Sequence, residues 1–347
     1  MRKRHVALAV ILGLALYVGA YLVLNSNAVA SADDVERRDA ADAAPAGDVL
    51  NITVWNLGYG GLGRESDFVS DGGEHLFPPS RAAVRRNVTA IADFVADEQA
   101  DVLVFQEIAR GGPVNYWVDL KGRLDETLAA RSSVFFADFQ TRLMPWPLAM
   151  RHGQAIYAAP AVASADVVPL PAEDTAIFGV KRRYASVVAR LPIAGRTHGW
   201  TIASVHLAAF DADALVRTRQ LRQLLDWAQQ EYESGQHVVL AGDWNFQIAA
   251  TNFPHTTEAR FLFWLFPFPD DALPDGWRIG ADASVPSVRT NHRPYTPGEN
   301  YVTTIDGFIV SPNVAIEGLS GVDLGFEHTD HHPVRARVRA IAETQNE

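Results

Sequence analysis

The chain has 347 residues, 48% hydrophobic and 20% charged, which is apolar material for one large or two modest domains and excludes a disordered or collagen-like polymer. Its 30 Lys and Arg against 41 Asp and Glu give a formal charge of −11, so no general basic surface is available to wrap nucleic acid, and a phosphate-bearing partner has to be held by local cations, a metal or backbone amides. Cysteine is absent, which removes disulfides, thiolate zinc sites and Cys nucleophiles and leaves histidine, carboxylate and hydroxyl chemistry.

In chain order, the basic start MRKRH is followed by the uncharged run Val6 to Leu24, long enough as a helix to approach the ~30 Å of a bilayer core. Ala28-Val29-Ala30 and Ala30-Ser31-Ala32 fit signal-peptidase sites. Residues 1–30 therefore read as a signal peptide or an N-terminal membrane anchor, with the basic end in the cytoplasm and the rest extracytoplasmic, secreted or anchored. Residues 31–48 are Ala/Asp-rich without apolar periodicity and are expected to form a disordered, solvated linker. A catalytic-sized domain is expected over 49–340, followed by a tail, 341–347. Within it, β-rich runs recur at Leu50 to Trp55, Val102 to Phe105, Ala185 to Leu191, Trp200 to His206, Val238 to Ala241 and Thr304 to Val310. Helical spacing marks Arg81 to Glu98, through Ala83, Val84, Val88, Ile91 and Phe94, and Ala212 to Glu233, through Leu215, Leu221, Leu224, Leu225 and Trp227. The pattern predicts an α/β domain with sheets covered by helices.

Polar residues interrupt the strand ends, where an unused polar side chain is costly. The strands run into Asn56, Glu107 and His206, into Asp243-Trp244-Asn245, and into Asp306, and Thr329-Asp330-His331 closes the series. Singly, each reads as a strand-end cap or turn residue; together their types are complementary. Asn56 and Glu107 supply hard oxygens suited to Mg²⁺ or Mn²⁺. Asp243 or Asp330 can activate a water, Asn245 can hold a phosphoryl oxygen, and His206 and His331 can donate to it. Asp306 suits a supporting task, fixing the tautomer of His331.

The ordered set TVWN, VFQE, SVHL, GDWN, TIDGFIVSP and TDHHPV resembles the endonuclease/exonuclease/phosphatase family, the superfamily of deoxyribonuclease I, exonuclease III, neutral sphingomyelinases and inositol-polyphosphate 5-phosphatases, over roughly Val49 to Ala340. The resemblance implies a deoxyribonuclease I-like four-layer α/β sandwich, two packed mixed β-sheets flanked by helices, with the site at one end of the sheets. It implies a divalent cation, Mg²⁺ or else Mn²⁺ or Ca²⁺, bound by Asn56 and Glu107 with Asp330 beside it. Asp243 and Asn245 would then position or activate the attacking water, Asp306 would pair with His331, and His331 would contact the scissile phosphate. The final motif has Thr329 where Ser is commoner, and Gly307-Phe308 follows Asp306 in place of the frequent Tyr. His206 stands where the exonuclease III branch usually has asparagine, which brings the chain nearer the deoxyribonuclease I, sphingomyelinase and phosphatase branches. The expected activity is an exported, metal-dependent phosphoesterase, foremost a nuclease-like phosphodiesterase, with a phospholipid phosphodiesterase, an inositol-phosphate phosphatase and a non-catalytic binding module as alternatives, acting as a monomer.

Five further segments invite chemistry. Lys181-Arg182-Arg183 is expected as a solvated turn, with phosphate binding as its alternative. Arg289, Asn291, Arg293 and Tyr295 sit in an irregular stretch that reads equally as leaving-group reader or as plain surface loop. Phe261, Phe263, Trp264, Phe266 and Phe268 are expected to be buried against the sandwich, the alternative being an exposed patch for lipid or bases. His331 and His332 point oppositely along an extended segment, so a zinc site with His328 is not expected. The glycines from Gly58 to Gly63 lack a P-loop lysine and read as a flexible loop beside the metal, and no G-x-S-x-G elbow supports acyl hydrolysis.

Overall fold

A computed structural model describes residues 2–26, 29–173, 176–177, 179–211 and 213–341. Two large mixed sheets lie face to face. The first has seven strands in the spatial order Val35–Arg38, Ser132–Gln140, Arg151–Ala158, Val102–Ala109, Val49–Asn56, Val334–Ala340, Val314–Gly321; the second has six, Arg278–Gly280, Asp306–Val310, His237–Asp243, Trp200–His206, Ala185–Leu191, Ser164–Pro169. The strands Val49–Asn56 and Val102–Ala109 pair in parallel, as do Trp200–His206 and His237–Asp243, which points Asn56, Glu107, His206 and Asp243 out of the same end. Antiparallel partners begin at that end with Asp306 and Val334.

Alternation explains the layers, because successive side chains on a strand face opposite ways. Ile52, Val54, Val102, Val104, Ile202, Val239 and Val310 meet between the sheets, and their neighbours Leu103, Phe105, Val205 and Leu240 face the helices. Helices Arg81–Asp97 and Leu120–Thr127 cover the first sheet, and Leu215–Glu233 covers the second, completing the four layers that the resemblance implies. Ser80 starts the first of these, its hydroxyl accepting from the Ala83 amide at 3.1 Å. The last begins at Leu215 after Ala214 in the left-handed region; Ala212, where the sequence places its start, lies outside the described residues.

The stretch 31–48 corrects the sequence reading. It is ordered, with Val35–Arg38 adding an antiparallel edge strand against Ser132–Gln140 and Ala46 buried in the inter-sheet core. The short polar run VERR carries no apolar alternation because an edge strand is held by its backbone and by charged ends: Arg38 donates to the Asp125, Leu128 and Arg131 carbonyls, and Asp34 pairs with Arg142 and Arg183. The apolar leader forms one helix, Arg2–Ser26, long and apolar enough to cross a membrane and almost wholly exposed. Of the proposed cleavage triplets, Ala28 lies outside the described residues, as do positions 342–347 of the expected tail.

Candidate active site

The strand ends open into a single hollow lined by Glu107, Arg182, His206, Asp243, Asn245, Asp330 and His331, together with Tyr59, Asp71, Arg289 and Asn291. Asn56 and Asp306 lie just behind this lining, each hydrogen-bonded to a residue that faces it. All eight side chains that the sequence singled out thus share one end of the sandwich.

Asp243 is the centre. Its Oδ1 accepts from the Asn245 amide at 2.9 Å, and its Oδ2 accepts from Asn56 Nδ2 at 3.0 Å and lies 3.8 Å from the Nε2 atoms of both His206 and His331. Burial and the nearby Asp306 push its carboxyl up to about 6, although His331 and the two amides oppose the shift. Gly242 precedes it because a β-carbon there would fall 1.9 Å from the Val205 carbonyl of the paired strand. Asn245 has a positive φ of 51°, which turns its chain out of the strand; its Nδ2 donates to Leu207 O at 2.9 Å, tying together the loops that follow His206 and Asp243. The fully buried Arg217 clamps the same loops, pairing with Asp211 and donating to the carbonyls of Asn245, Trp264 and Ala209.

The two histidines carry different protons. His331 Nδ1 donates to Asp306 Oδ2 at 2.8 Å, and Asp306 also accepts from Ser287 Oγ at 2.7 Å. Burial opposes a charge on His331, but Asp306, Asp243 and Asp330 overcome it and hold the imidazole well above its ordinary value. His206 Nδ1 stands 3.0 Å from an Arg182 Nη2, and because a guanidinium only donates, this nitrogen must accept. Its proton then resides on Nε2, which lies between Glu107 Oε1 at 3.7 Å and Asp243. Burial and the Arg182 charge keep this ring neutral. Arg182 itself grips Asp138 through two nitrogens, at 3.1 and 2.7 Å, and lies over the Tyr184 ring.

On the opposite wall the charges conflict. Glu107 occupies a bulge between Phe105 and Ile108, with a positive φ of 52° that turns its carboxylate into the hollow. Burial and Asp330 push it up to about 8. Asp71, brought in by the loop after Asn56, rises to about 7 through burial and the same Asp330. Asn291 Nδ2 donates to both Asp330 and Asp71, and Arg289 lies close by. Gly58 sits tight beneath this wall: with φ +49°, any β-carbon would come 2.7 Å from Asp330 Oδ1. A group of hard, mutually repelling oxygens in a buried hollow fits a divalent cation, whose charge would relieve the repulsion. Asp243, Asp306 and His331 also offer ligand atoms within 4.8 Å of one another, with His331 Nδ1 and Asp306 Oδ2 already bonded to each other, so two groups of side chains in the hollow could take a cation.

Of the further segments that the sequence marks, some depart from the expectation and others follow it. Arg182 is no solvated turn but a cation lining the hollow, and Arg183 is buried against Asp34. Arg289 and Asn291 line the site, whereas Arg293 pairs with Glu299 and Tyr295 rests on Phe326 outside it. Trp264 is buried and Phe266 and Phe268 pack on the second sheet, while Phe263 stays exposed. His332 turns away, accepting from the Phe326 amide at 3.0 Å, so no ion is shared with His331. Ser287, Asp138 and Asp71 were not singled out: nothing in their local sequence separates them from other surface Ser and Asp residues, and only the approach of distant loops brings them in.

Comparison with known proteins agrees with the fold. No curated protein sequence matches the chain. A solved endonuclease/exonuclease/phosphatase from Beutenbergia cavernae is 20% identical with a TM-score of 0.55, covering 85% of this chain and 72% of its own. TDP2 from D. rerio, complexed with a single-strand DNA product, is 13% identical with a TM-score of 0.53 over 84% of this chain and 99% of its own. The human Nocturnin catalytic domain with a bound sulfate anion is 15% identical, with a TM-score of 0.51 over 88% and 97%. The family profile described as Endonuclease/Exonuclease/phosphatase family matches residues 53–331, from the Asn56 strand through His331, and the chain belongs to that family.

Proposed function

We propose that the protein is an exported, divalent-metal-dependent phosphodiesterase that directs water at phosphorus. Its family is one of phosphoester hydrolases, and the observation that carries the reading is the pair of histidines whose Nε2 atoms each lie 3.8 Å from Asp243, His331 bonded through Nδ1 to Asp306 and His206 facing Arg182 through its own Nδ1. A bound divalent cation, held by Glu107, Asp330 and Asn56, would supply Lewis-acid polarisation of the phosphoryl group.

The chain's own residues do the rest. Asp243, whose Oδ2 and Oδ1 accept from Asn56 and from the Asn245 amide, orients the attacking water and takes its proton as the new P–O bond forms, and the leaving oxygen takes up a proton from solvent as its own bond to phosphorus breaks. The His331 imidazolium, locked by Asp306 and Ser287, donates through Nε2 to a non-bridging oxygen on which charge develops. Neutral His206 donates through its own Nε2 from the other side, and Arg182 keeps it in that tautomer. The apolar N-terminal helix supports placement outside the cytoplasm.

Asp243→Ala and His331→Ala should each lower turnover of bis-p-nitrophenyl phosphate by about 10³-fold or more, with an unchanged circular dichroism spectrum, and chelation should abolish wild-type turnover. Near-normal hydrolysis by either variant would refute the assignment.

A further inference from the structure

We infer that the catalytic rim rests on a lipid bilayer and that the substrate is a phosphodiester borne by a membrane lipid. The inference deepens the phosphodiesterase reading and rests on it.

The first observation is where exposed apolar side chains lie. Among the described residues of the globular part, every exposed large apolar side chain sits in a segment at the site end of the sheets, within 57–80, 110–119, 141–150, 176–181, 207–215 or 244–268; the exceptions are Val29, just after the N-terminal helix, and Ile341, the last described residue. The loops at the opposite end, such as 128–131, 159–163, 192–199 and 234–236, carry none. Scattered exposed apolar residues are ordinary on a soluble protein, but their concentration at one end marks an interaction surface. Trp146 is 80% exposed and Leu148 55%, at the tip of the hairpin between Ser132–Gln140 and Arg151–Ala158; across the mouth, Phe210 and Phe263 are 48% and 44% exposed and form a ring pair 6.4 Å apart.

The second observation is independent and identifies the occupant. The membrane-length helix Arg2–Ser26 docks on these same loops. Asn25 Nδ2 donates to Arg142 O at 2.9 Å while Arg142 N donates to Asn25 Oδ1 at 2.7 Å, and about two turns earlier the Tyr17 hydroxyl donates to Leu143 O. Leu22 packs beside Gly179, in the short hairpin that ends at Lys181, immediately before Arg182 of the hollow. From Tyr17 to Asn25 is about 12 Å along a helix at 1.5 Å per residue. With the helix spanning a bilayer, the loop carrying Leu143, Trp146 and Leu148 therefore lies at the depth of its last turns, where amphipathic Trp residues are favoured. The hairpin base is joined to the hollow through His152, which stacks on Phe139 and meets the Tyr59 ring at 4.7 Å. A rim so placed opens toward headgroups, and a phosphoester anchored in that plane reaches the hollow without leaving the bilayer.

The test uses the full chain in phosphatidylcholine vesicles containing about 10 mol % each of sphingomyelin, phosphatidylinositol and phosphatidylglycerol. Because the protein has no cysteine, the single variants Leu148→Cys, Phe263→Cys and Thr197→Cys each carry one fluorophore, the last in the opposite-end loop. Brominated acyl chains should quench the dyes at 148 and 263 and spare 197, and aqueous iodide should do the reverse. Iodide reaching all three alike, or quenching at 148 and 263 that follows protein concentration instead of bromolipid, overturns the inference. In the double variant Trp146→Asp with Leu148→Asp, release of phosphorylated headgroup should fall about tenfold while soluble bis-p-nitrophenyl phosphate is hydrolysed as by wild type; loss on both substrates, or on neither, also overturns it. Wild-type inactivity on both would overturn the phosphodiesterase reading itself, and the quenching measurement would still decide whether the rim meets lipid.

Discussion

The two walls of the hollow differ in how their charges are settled. On one, Asp243, Asp306 and His331 are tied to amides, to Ser287 and to one another, so geometry is fixed before any substrate arrives. On the other, Glu107, Asp71 and Asp330 face one another, relieved in part by Asn291, Arg289, Arg182 and His331, and two of the three rise toward neutrality. The first wall has the construction of catalytic machinery, where preorganisation matters most, and the second that of a cation site, where stored repulsion becomes binding energy once the ion is held.

Breaking the settled wall should have the largest effect. Asp306→Asn should lower kcat by about 10²–10³-fold with little change in KM, because the amide no longer stabilises the imidazolium or dictates its tautomer. A smaller loss, about tenfold, is expected for Arg182→Lys, since an ammonium cannot grip Asp138 with two nitrogens and still face His206; a pH–rate profile whose acidic limb moves would locate the change at His206.

The crowded wall should answer in stability instead. Adding Mg²⁺ to the metal-stripped wild type should raise Tm by several degrees, and Glu107→Gln should diminish that increment while raising Tm of the stripped form. The smallest effect concerns Asp71. Its folded value, about 7, lies above its ordinary one, so the fold favours the protonated acid; the contribution is full at low pH and is lost as pH rises through that interval. Asp71→Asn should therefore already melt somewhat above wild type at pH 5, which lies inside that interval, and several degrees further above it at pH 8. Identical melting at both pH values would place Asp71 outside the electrostatic conflict.

Much of the fold was legible where strands alternate or run apolar to a polar end: Ala185–Leu191 and Trp200–His206 coincide with the sequence reading, and helix Arg81–Asp97 differs from it by one residue. Other elements were not. Ser132–Gln140 is buried on both faces and shows no alternation, and Leu120–Thr127 is interrupted by Gly122, whose amide bonds to its capping Asp119. The edge strand Val35–Arg38 owes its place to backbone pairing and to ion pairs with residues about a hundred positions away.

By itself, then, the sequence determined the family, the layered α/β architecture and the eight polar residues at strand ends, because such patterns depend on near neighbours along the chain. Only the tertiary structure decided which charges meet. Arg182 becomes the partner of His206 through Asp138, Ser287 reaches Asp306 from a separate loop, and Asn25 of the leader meets Arg142. Protonation, tautomer and the direction in which the rim faces follow from burial and from distances of a few ångströms between segments far apart in the chain, and those distances exist only once the two sheets have packed.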